Sequence, residues 1–394
     1  MINNKTKIAT MLFFALYFTG SHSQTKVSVT NTLNIKRTEI AEIPASDLKS
    51  VLALHPEKKI RIKCETTNEL VPIQWIDYNS DGKPDALLFE ASVNASATAI
   101  YTVVTTDSII STPKRVAYSR FVPERSDDYT WENDKIAFRV YGPKGQQEAL
   151  KKVAGSTLSS GVDIWFKKVD YSIIDKWYQM HTETPGYYHT DHGEGYDPYH
   201  VGNSRGTGGI GLWLNDSLHV SKNYISHKTI ANGPLRTVFE LEYAPWSDYK
   251  IKETKRISLD VGSNFTKFEI SHTAIQPIPN LAIGISLHKN EGKTSINLKN
   301  GWFRHWETID KLSVGQGIVI DPRQVVDAFA KVSKTVDQSN LLVITKPANQ
   351  LTYYAGFAWQ GSRQVGNNVA EWDAMLGRQA LIIANPLKIS ISSN

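Results

Sequence analysis

The sequence is poor in cysteine, with Cys64 as the one such residue among 394. No disulfide can therefore form within the chain. Because Cys64 lies far from the N-terminus, a lipid-modified cysteine at a signal cleavage site is also excluded. Long apolar runs are lacking beyond the first residues, which excludes a later membrane-spanning helix. The formal net charge is only +5, which does not indicate the concentrated basic patch typical of nucleic-acid binding.

The first residues have the pattern of a secretory signal peptide. Lys5 and Lys7 precede the mostly apolar run 8–18, and Ser21 and Ser23 supply the small residues that precede a cleavage site. The apolar run is too short to span a bilayer. We therefore interpret residues 1–23 as a signal peptide, with an uncleaved N-terminal anchor as the alternative. Without a lipid-modified cysteine, this predicts a soluble, exported, periplasmic protein.

Alternation of apolar and polar residues dominates the remaining sequence and predicts β-strands separated by turns rich in Gly, Asn, Asp and Ser. Helical patterns are few, at 45–54 and 322–329. We predict an all-β protein with a smaller N-terminal β region, 24–150, and a large antiparallel β-sandwich, 151–394. The two parts could form one continuous unit. The alternating runs are 26–35, 99–104, 136–140, 162–166, 237–243, 256–260, 267–272 and 294–298.

The segment 180–206 holds the densest group of reactive side chains. Its many glycines predict a long, irregular loop, and long ordered loops in compact domains are often functional. Three kinds of site remain open: a zinc site on its histidines, although the spacing fits no standard zinc motif; acid–base chemistry; and sugar binding without catalysis. The candidate residues here are Tyr188, His189, Asp191, His192, Asp197, Tyr199, His200 and Arg205.

The motif DYNSDGKPD, residues 77–85, places oxygen-bearing side chains around Gly82. One interpretation is a short calcium loop, in which oxygen ligands at alternate positions surround a hard cation. The other is a hairpin turn, since Asp, Asn and Gly favour turns for backbone reasons alone. A calcium ion here would have a structural role. The candidate ligands are Asp77, Asn79, Asp81 and Asp85.

Five segments carry a resemblance to a known family. The sequence resembles an exported family of Bacteroidota polysaccharide-utilisation loci, long labelled a domain of unknown function, that includes an oligosaccharide dehydratase of ulvan breakdown. The large β region also resembles the supersandwich of galactose-mutarotase-like proteins and several polysaccharide lyases, which is a likeness of fold. The segments that carry the family resemblance are 71–89, 131–143, 163–178, 188–213 and 232–243, and the most specific is 188–213.

The resemblance implies a reaction. The dehydratase removes water across C4 and C5 of a saturated uronic acid at the non-reducing end of an oligosaccharide, which leaves a 4,5-unsaturated uronate. The expected partner is thus an anionic oligosaccharide. No required cofactor is predicted, a structural calcium ion stays open, and the oligomeric state is not predicted. The alternatives are a polysaccharide lyase or metal-dependent hydrolase on the same scaffold, and a carbohydrate-binding accessory protein without catalysis.

The chemistry of the reaction assigns candidate roles. Removing the C5 proton places a second negative charge beside a carboxylate, so the site needs a cation, a base and an acid. Arg205 is the predicted cation, and Tyr188, His189 and His192 are the candidates for base and acid, in an order left open. The predicted substrate-binding residues are Asp191, Asp197, Tyr199 and Arg125.

Overall fold

The computed structural model describes residues 25–107, 116–335, 337–362, 364–365 and 368–393. The predicted signal peptide, residues 1–23, lies outside this range. Strands dominate the described chain and form five sheets whose ladders are antiparallel. The prediction of an all-β fold built around a large antiparallel β-sandwich is confirmed. No helix in the described part of the chain has the length and apolar character that crossing a bilayer requires.

An N-terminal sandwich comes first along the chain. Two sheets enclose one apolar cluster that contains Val27 and Ile62 from one sheet and Ile43 and Phe89 from the other. The strands are β1 (Thr25–Thr30), β2 (Arg37–Pro44), β3 (Ile60–Cys64), β4 (Leu70–Val71), β5 (Ile73–Ile76), β6 (Ala86–Val93), β7 (Thr98–Thr105) and β26 (Lys388–Ser393). The short helix α1 (Lys49–Leu54) lies between β2 and β3. The first sheet has the order β26-β1-β7-β3-β4 and the second β2-β6-β5.

A five-stranded middle sheet follows and carries most of the candidate site. Its central strands are buried at every position, because both faces of the sheet are covered. One face packs into the large core, and the other packs against the helix Ile174–Glu183. In sheet order the strands are β12 (Gly195–Tyr196), β11 (Asp163–Lys167), β10 (Ala137–Val140), β9 (Asp128–Glu132) and β8 (Tyr118–Val122), and the helices are α2 (Pro143–Leu150) and α3 (Ile174–Glu183).

The large sandwich pairs a five-stranded sheet with an eight-stranded central sheet. Strand β17 alternates buried and half-exposed residues, as expected for a strand with one face in the core. The smaller sheet has the order β14 (Ser217–His219), β13 (Thr207–Leu214), β19 (Ala282–Ser286), β24 (Asn340–Thr345), β23 (Val325–Lys331). The central sheet has the order β15 (Ser226–Ala231), β16 (Arg236–Glu242), β17 (Lys252–Asp260), β18 (Phe265–Thr273), β25 (Gln350–Trp359), β22 (Leu312–Ile320), β21 (Trp302–Ile309), β20 (Lys293–Asn297).

Helices were harder to predict than strands. The pattern at 45–54 is confirmed as a 3-10 turn followed by α1. The helical prediction at 322–329 is wrong beyond its first turn, because Val325 begins strand β23. The sequence patterns missed α3 and the long helix α4 (Val369–Ala384), whose Trp372 and Leu376 are buried against the central sheet. These helices cover sheet faces, so their apolar residues serve tertiary packing.

The apolar clusters describe how the regions meet. Residues of β9, β10 and β11 belong to the same large cluster as the strands of the sandwich. The smaller cluster contains β1–β7 together with half-buried Ile389 and Ile391 of β26. The division into 24–150 and 151–394 stays a prediction, since packing alone does not establish which part folds independently.

Candidate functional site

The segment 180–206 begins in the last turn of α3 and then becomes mostly irregular. A 3-10 turn holds Tyr187–His189, and two residues form β12 before β13 starts at Thr207. Gly186 has a φ of +87°, which lets the chain leave α3 and enter that turn. The segment therefore passes along the edge of the middle sheet. Its side chains meet charged residues of β9, β10 and β11 there.

Arg139 of β10 is the centre of a buried charged group. Its Nε donates a hydrogen bond to Oδ2 of Asp163 at 2.8 Å, and its Nη2 donates to Oδ2 of Asp197 at 3.0 Å. Oδ2 of Asp128 lies 3.9 Å from Nε. Arg139 and Asp163 are direct cross-strand partners, so antiparallel register places their opposite charges side by side. The charges of the two bonded carboxylates raise the pKa of Arg139, although burial opposes this.

The carboxylates around Arg139 are only partly hydrogen-bonded. Both oxygens of Asp128 and the Oδ1 atoms of Asp163 and Asp197 are buried without a hydrogen-bond partner among the described residues. Burial raises the pKa of Asp128 to about 7. Burial and then the charge of Asp163 raise the pKa of Asp197. A buried polar group left without a partner is unfavourable and uncommon, so these oxygens mark a place prepared for another donor.

Tyr188 brings the sequence-predicted segment to this group. Its phenol oxygen accepts hydrogen bonds from Nε of Arg125 at 3.3 Å and Nη1 of Arg139 at 3.4 Å. Its ring stacks between Trp165, at 5.2 Å, and His181, at 4.3 Å, measured between ring centroids. Since both guanidiniums donate to the oxygen, the hydroxyl proton of Tyr188 remains available to a further acceptor.

His189 lies at the exposed edge, with a side chain 54% accessible to solvent. Its Nδ1 is 2.8 Å from the carbonyl oxygen of Asp197. A carbonyl oxygen only accepts, so Nδ1 carries the proton, and Nε2 of the neutral ring has the free lone pair. That nitrogen is therefore suited to act as a base.

His181 of α3 has the opposite tautomer. Its Nδ1 accepts a hydrogen bond from the backbone N–H of Gly186 at 3.0 Å, which puts the proton of the neutral ring on Nε2. Burial, and then the nearby charge of Arg125, lower the pKa of His181. One histidine thus offers a lone pair and the other an N–H. We call this group the Arg139 cluster, formed by Arg125, Asp128, Arg139, Asp163, His181, Tyr188, His189 and Asp197.

Two predicted residues of the same segment lie outside this cluster. The His192 ring stacks on Tyr187 at 4.0 Å. Asp191 forms an ion pair with Lys168, and its Oδ1 accepts from the backbone N–H groups of Gly193 and Gly195. These contacts give Asp191 a turn-forming role in the structure. A direct role of either residue in catalysis stays a prediction.

Arg205 lies in the core of the large sandwich, 1% exposed. Its Nη1 donates to the Ser160 hydroxyl at 2.9 Å and to the Ile210 carbonyl oxygen at 3.3 Å. Burial lowers its pKa to about 10. Among the described residues, no hydrogen-bond partner of the Arg205 side chain belongs to the Arg139 cluster. The structure therefore offers Arg125 and Arg139, rather than Arg205, as cations beside Tyr188.

Tyr199 belongs to a second buried polar group. Its hydroxyl donates to Oε1 of Gln316 at 2.6 Å, and Nε2 of Gln316 donates to Oε1 of Glu307 at 2.7 Å. Nδ1 of His288 lies 2.9 Å from both Glu307 oxygens, and Nδ1 of His305 lies 3.5 Å from one. Against the effect of burial, the hydrogen bonds from His288 and His305 lower the pKa of Glu307 to about 2. We call these residues, Tyr199, His288, His305, Glu307 and Gln316, the Glu307 network.

The predicted calcium loop lies between β5 and β6. The two oxygens of Asp77 accept from the backbone N–H groups of Ser80 and Gly82. Asp85 accepts from the backbone N–H of Tyr78 at 2.7 Å, and Asn79 and Asp81 accept from backbone N–H groups two residues ahead. These are the contacts of Asx turns. Among the described residues, no group of three or more His, Cys, Asp or Glu side chains has metal-binding geometry, and calcium binding stays a prediction.

Comparison with known proteins places the chain in a family. The family model for the domain of unknown function DUF4861 matches residues 29–389. The chain belongs to the DUF4861 family. It is 40% identical over 374 residues to an uncharacterized protein, P7, of Formosa agariphila, with 93% of each chain covered. The membership explains the resemblance of the five segments and does not by itself assign a reaction.

Solved structures give more distant likenesses. A glycosyl hydrolase family 38 protein of Enterococcus faecalis has a TM-score of 0.49 at 10% identity, and an α-mannosidase of the same species has 0.43 at 10%. Each match covers 94% of this DUF4861 chain but only 47% and 46% of the other chain. The chain thus spans about half the length of these structural neighbours.

The strands of this DUF4861 protein supply two site residues, Arg139 and Asp163, that sequence patterns had not singled out as candidates. Like Asp128, they lie within short, buried strands, where a charged residue breaks the apolar pattern. His181 lies on α3, a helix that was not predicted. A charged residue inside an otherwise buried strand is the signal that could have marked the first three, since such residues are rarely fully buried unless paired.

Proposed function

We propose that this DUF4861 protein is an oligosaccharide dehydratase, a carbon–oxygen lyase that acts on a saturated uronic acid at the non-reducing end. The observation that carries the proposal is the Tyr188 phenol between two guanidiniums, beside a histidine whose Nε2 holds a free lone pair. This combination supplies a cation, an acid and a base within one group. The family resemblance of segment 188–213 supports the same reaction.

Arg125 is the residue we assign to the substrate carboxylate. Arg139 is fully enclosed, and Asp163 and Asp197 already occupy its donors. Arg125 is half-buried, and among the described residues its Nη2 donates to the Gly155 carbonyl oxygen alone, at 3.1 Å. A guanidinium binds a carboxylate in a planar, two-point manner and stabilises the extra charge that builds up when C5 loses its proton. Arg139 then acts as a positioning residue that orients Tyr188 and Asp197.

His189 is the proposed base and Tyr188 the proposed acid. Nε2 of His189 takes the C5 proton, the electron pair forms the C4–C5 double bond, and the C4 oxygen leaves as water with the Tyr188 proton. Solvent then takes the proton from His189 and returns one to Tyr188. The products are one unsaturated uronate and one water, so atoms and charge balance. To Asp128, whose two oxygens have no hydrogen-bond partner among the described residues, we assign the role of accepting hydrogen bonds from hydroxyl groups of the sugar.

The proposed setting follows from the signal peptide. An enzyme with an anionic oligosaccharide as its partner would act in the periplasm on fragments already cut from a polymer, and its product would suit an unsaturated-uronyl hydrolase. Ulvan-type polysaccharides are the source that the family resemblance favours. Localisation would be tested by fractionating cells that produce the full chain and sequencing the mature N-terminus, which we expect at Gln24.

The decisive experiment incubates the purified protein with oligosaccharides that end in a saturated uronic acid. We expect mass spectrometry to show loss of one water and ultraviolet absorbance to show a new conjugated double bond. Cleavage into smaller sugars would instead identify a polysaccharide lyase or hydrolase. Binding without any change of mass would identify an accessory protein. Loss of turnover with a chelator would support a metal-dependent reaction.

Variants test the assignment of roles. His189→Gln and Arg125→Lys should each remove most of the activity, because glutamine is a poor base and lysine lacks the planar fork. The matched control is His200→Gln, since His200 lies in the same segment and its exposed side chain forms an ion pair with Asp337, outside the Arg139 cluster. Near-normal rates for both site variants would overturn the roles assigned here.

A further inference from the structure

A large groove lies on the side of the central sheet that faces away from the core. Its volume is about 1010 Å³, and its lining comes from strand β2, from strands β16, β17, β18 and β25, and from helix α4. It thus lies where the N-terminal sandwich, the central sheet and α4 meet. Its volume is at the upper end of the range of small-molecule sites in proteins, which is about 300–1,000 Å³.

The floor of the groove is a grid of cross-strand neighbours. In one row, Ser258 pairs with Lys267, and Lys267 pairs with Tyr354. In the next row, Arg256 pairs with Glu269. Neighbouring strands are about 4.8 Å apart, so each row presents polar side chains at regular intervals. Such a floor offers hydrogen-bond donors and acceptors along an extended ligand.

The charges of the groove are largely balanced by each other. Arg236 binds both oxygens of Asp260, at 2.5 and 2.9 Å, and donates to Glu42 at 2.7 Å. Lys267 pairs with Glu269 at 2.8 Å. Because these ion pairs leave little net charge, the groove lacks the cationic excess that a polyanion requires. Its polar groups can still exchange hydrogen bonds with neutral hydroxyls.

The two walls differ in character. On the N-terminal side, the hydroxyl of Tyr78 lies 3.2 Å from both Glu42 oxygens, and the Arg256 guanidinium lies 5.9 Å from the Tyr78 ring centroid. On the other side, α4 presents half-buried Met375 and Ile382 beside Arg378 and Gln379. A ligand in the groove would therefore meet polar groups and an aromatic ring on one side, and apolar side chains flanked by polar ones on the other.

The groove is separate from the Arg139 cluster. Lys135, which lines the groove, lies in the turn between β9 and β10, at the opposite end of β10 from Arg139. Four residues of extended chain correspond to about 13 Å. The two sites can thus be changed independently.

We propose that this groove is a second carbohydrate-binding site, which holds a segment of neutral sugar units through their hydroxyl groups. Sugar rings carry polar hydroxyl edges and apolar C–H faces, and this match to the two walls is what selects the ligand class. The balanced charges favour neutral units over uronate or sulfate groups. The site binds glycan without taking part in the chemistry of the Arg139 cluster.

The test measures binding to the full mature chain by calorimetry, with cellotetraose, xylotetraose, mannotetraose and tetragalacturonate as probes. We expect at least one neutral probe to bind, and Arg256→Ala to weaken it about tenfold, as loss of a charged hydrogen bond would. Ser258→Trp, which fills the floor, should abolish binding. The control Arg323→Ala removes an exposed arginine that pairs with Asp321 away from the groove. It should leave binding unchanged.

Three outcomes would overturn the proposal. These are no binding of the neutral probes, neutral binding that both groove variants leave intact, and tetragalacturonate binding that exceeds all neutral probes and is lost in both groove variants. Circular dichroism and thermal midpoints establish that each variant is folded. His189→Gln should retain groove binding, so a failed dehydratase assay and a failed groove assay remain distinguishable.

Discussion

The Arg139 cluster and the Glu307 network are both buried groups of charged and hydrogen-bonding side chains. They differ in how completely their carboxylate oxygens are hydrogen-bonded. Each oxygen of Glu307 has a donor within 3 Å or less, from His288 or Gln316. Around Arg139, four carboxylate oxygens have no hydrogen-bond partner among the described residues. Nδ1 of His305 is also buried without a partner, so the contrast concerns the carboxylates: satisfied oxygens stabilise one arrangement, whereas buried oxygens without donors can accept hydrogen bonds from a ligand. This difference is why we assign the chemistry to Arg139 and its neighbours.

The largest expected effect comes from Tyr188→Phe. Loss of the proposed acid should lower the dehydration rate about 10²–10⁴-fold. The thermal midpoint should change little, because the ring still stacks between Trp165 and His181. Initial rates from the ultraviolet assay and a thermal melt check this prediction. A variant that retains full activity would remove Tyr188 from the mechanism.

Glu307→Ala should have the opposite effect, with a large loss of stability and little loss of activity. Removing the carboxylate leaves His288 and Gln316 without their partner, and breaking a buried pair of this kind costs about 3–5 kcal/mol. Activity per folded molecule should persist. Urea unfolding gives the free energy of unfolding, with Asp337→Asn as the control, since its exposed pair with His200 is worth less than about 1 kcal/mol. Lost activity in a stable Glu307→Ala protein would move the chemistry to this network.

The two groups should also respond to pH with opposite sign. The pKa of Asp128 is raised from 3.8 to about 7, so the folded protein binds more protons than the unfolded chain between these values. Its unfolding free energy should therefore fall as pH rises through that window, by up to about 4 kcal/mol. The pKa of Glu307 is lowered from 4.5 to about 2, so its stabilisation is lost as pH falls through that lower window.

The variant Asp128→Asn isolates the first effect. It removes the titrating carboxyl, so its unfolding free energy should depend less on pH between about 4 and 7 than that of the original protein. Urea denaturation at several pH values provides the comparison. Parallel curves for the two proteins would show that Asp128 is ionised throughout this range.

The smallest effect concerns the loop at Asp77, whose oxygens are satisfied by backbone N–H groups. Asp77→Ala should lower the thermal midpoint only slightly, since hydrogen bonds between this carboxylate and backbone N–H groups compete with water. The thermal midpoint of the original protein should be the same with calcium and with a chelator. A calcium-dependent rise in the midpoint would show that these carboxylates bind the ion after all.

Local patterns predicted much of the fold. Strands such as β16, β17 and β18 have one face in the core, so their alternation is visible in sequence. Strand β9 is buried on both faces, and α4 has few polar residues, so neither shows a clean period. Where both faces of an element are covered, the segments that pack on it come from distant parts of the chain. The local pattern of apolar residues does not identify those segments.

The candidate site was predicted in part for the same reason. Segment 180–206 stood out because glycines, histidines and tyrosines concentrate there, and it did supply Tyr188, His189 and Asp197 to one cluster. The arginine at the centre of the cluster could not be predicted from the sequence. Many arginines are present, and only strand register decides that Arg139 faces Asp163. Arg205 lies within the segment but points into the core of the sandwich.

Strand β26 has a consequence for the order in which the protein can be completed. It pairs with β1 along the edge of the N-terminal sheet, from Thr25 opposite Ser393 to Thr30 opposite Lys388. The ribosome makes β1 long before β26. Until β26 has been made, β1 therefore has one row of backbone groups without its final partner. The N-terminal sandwich can begin to fold early, but only the arrival of residues 388–393 closes its open edge.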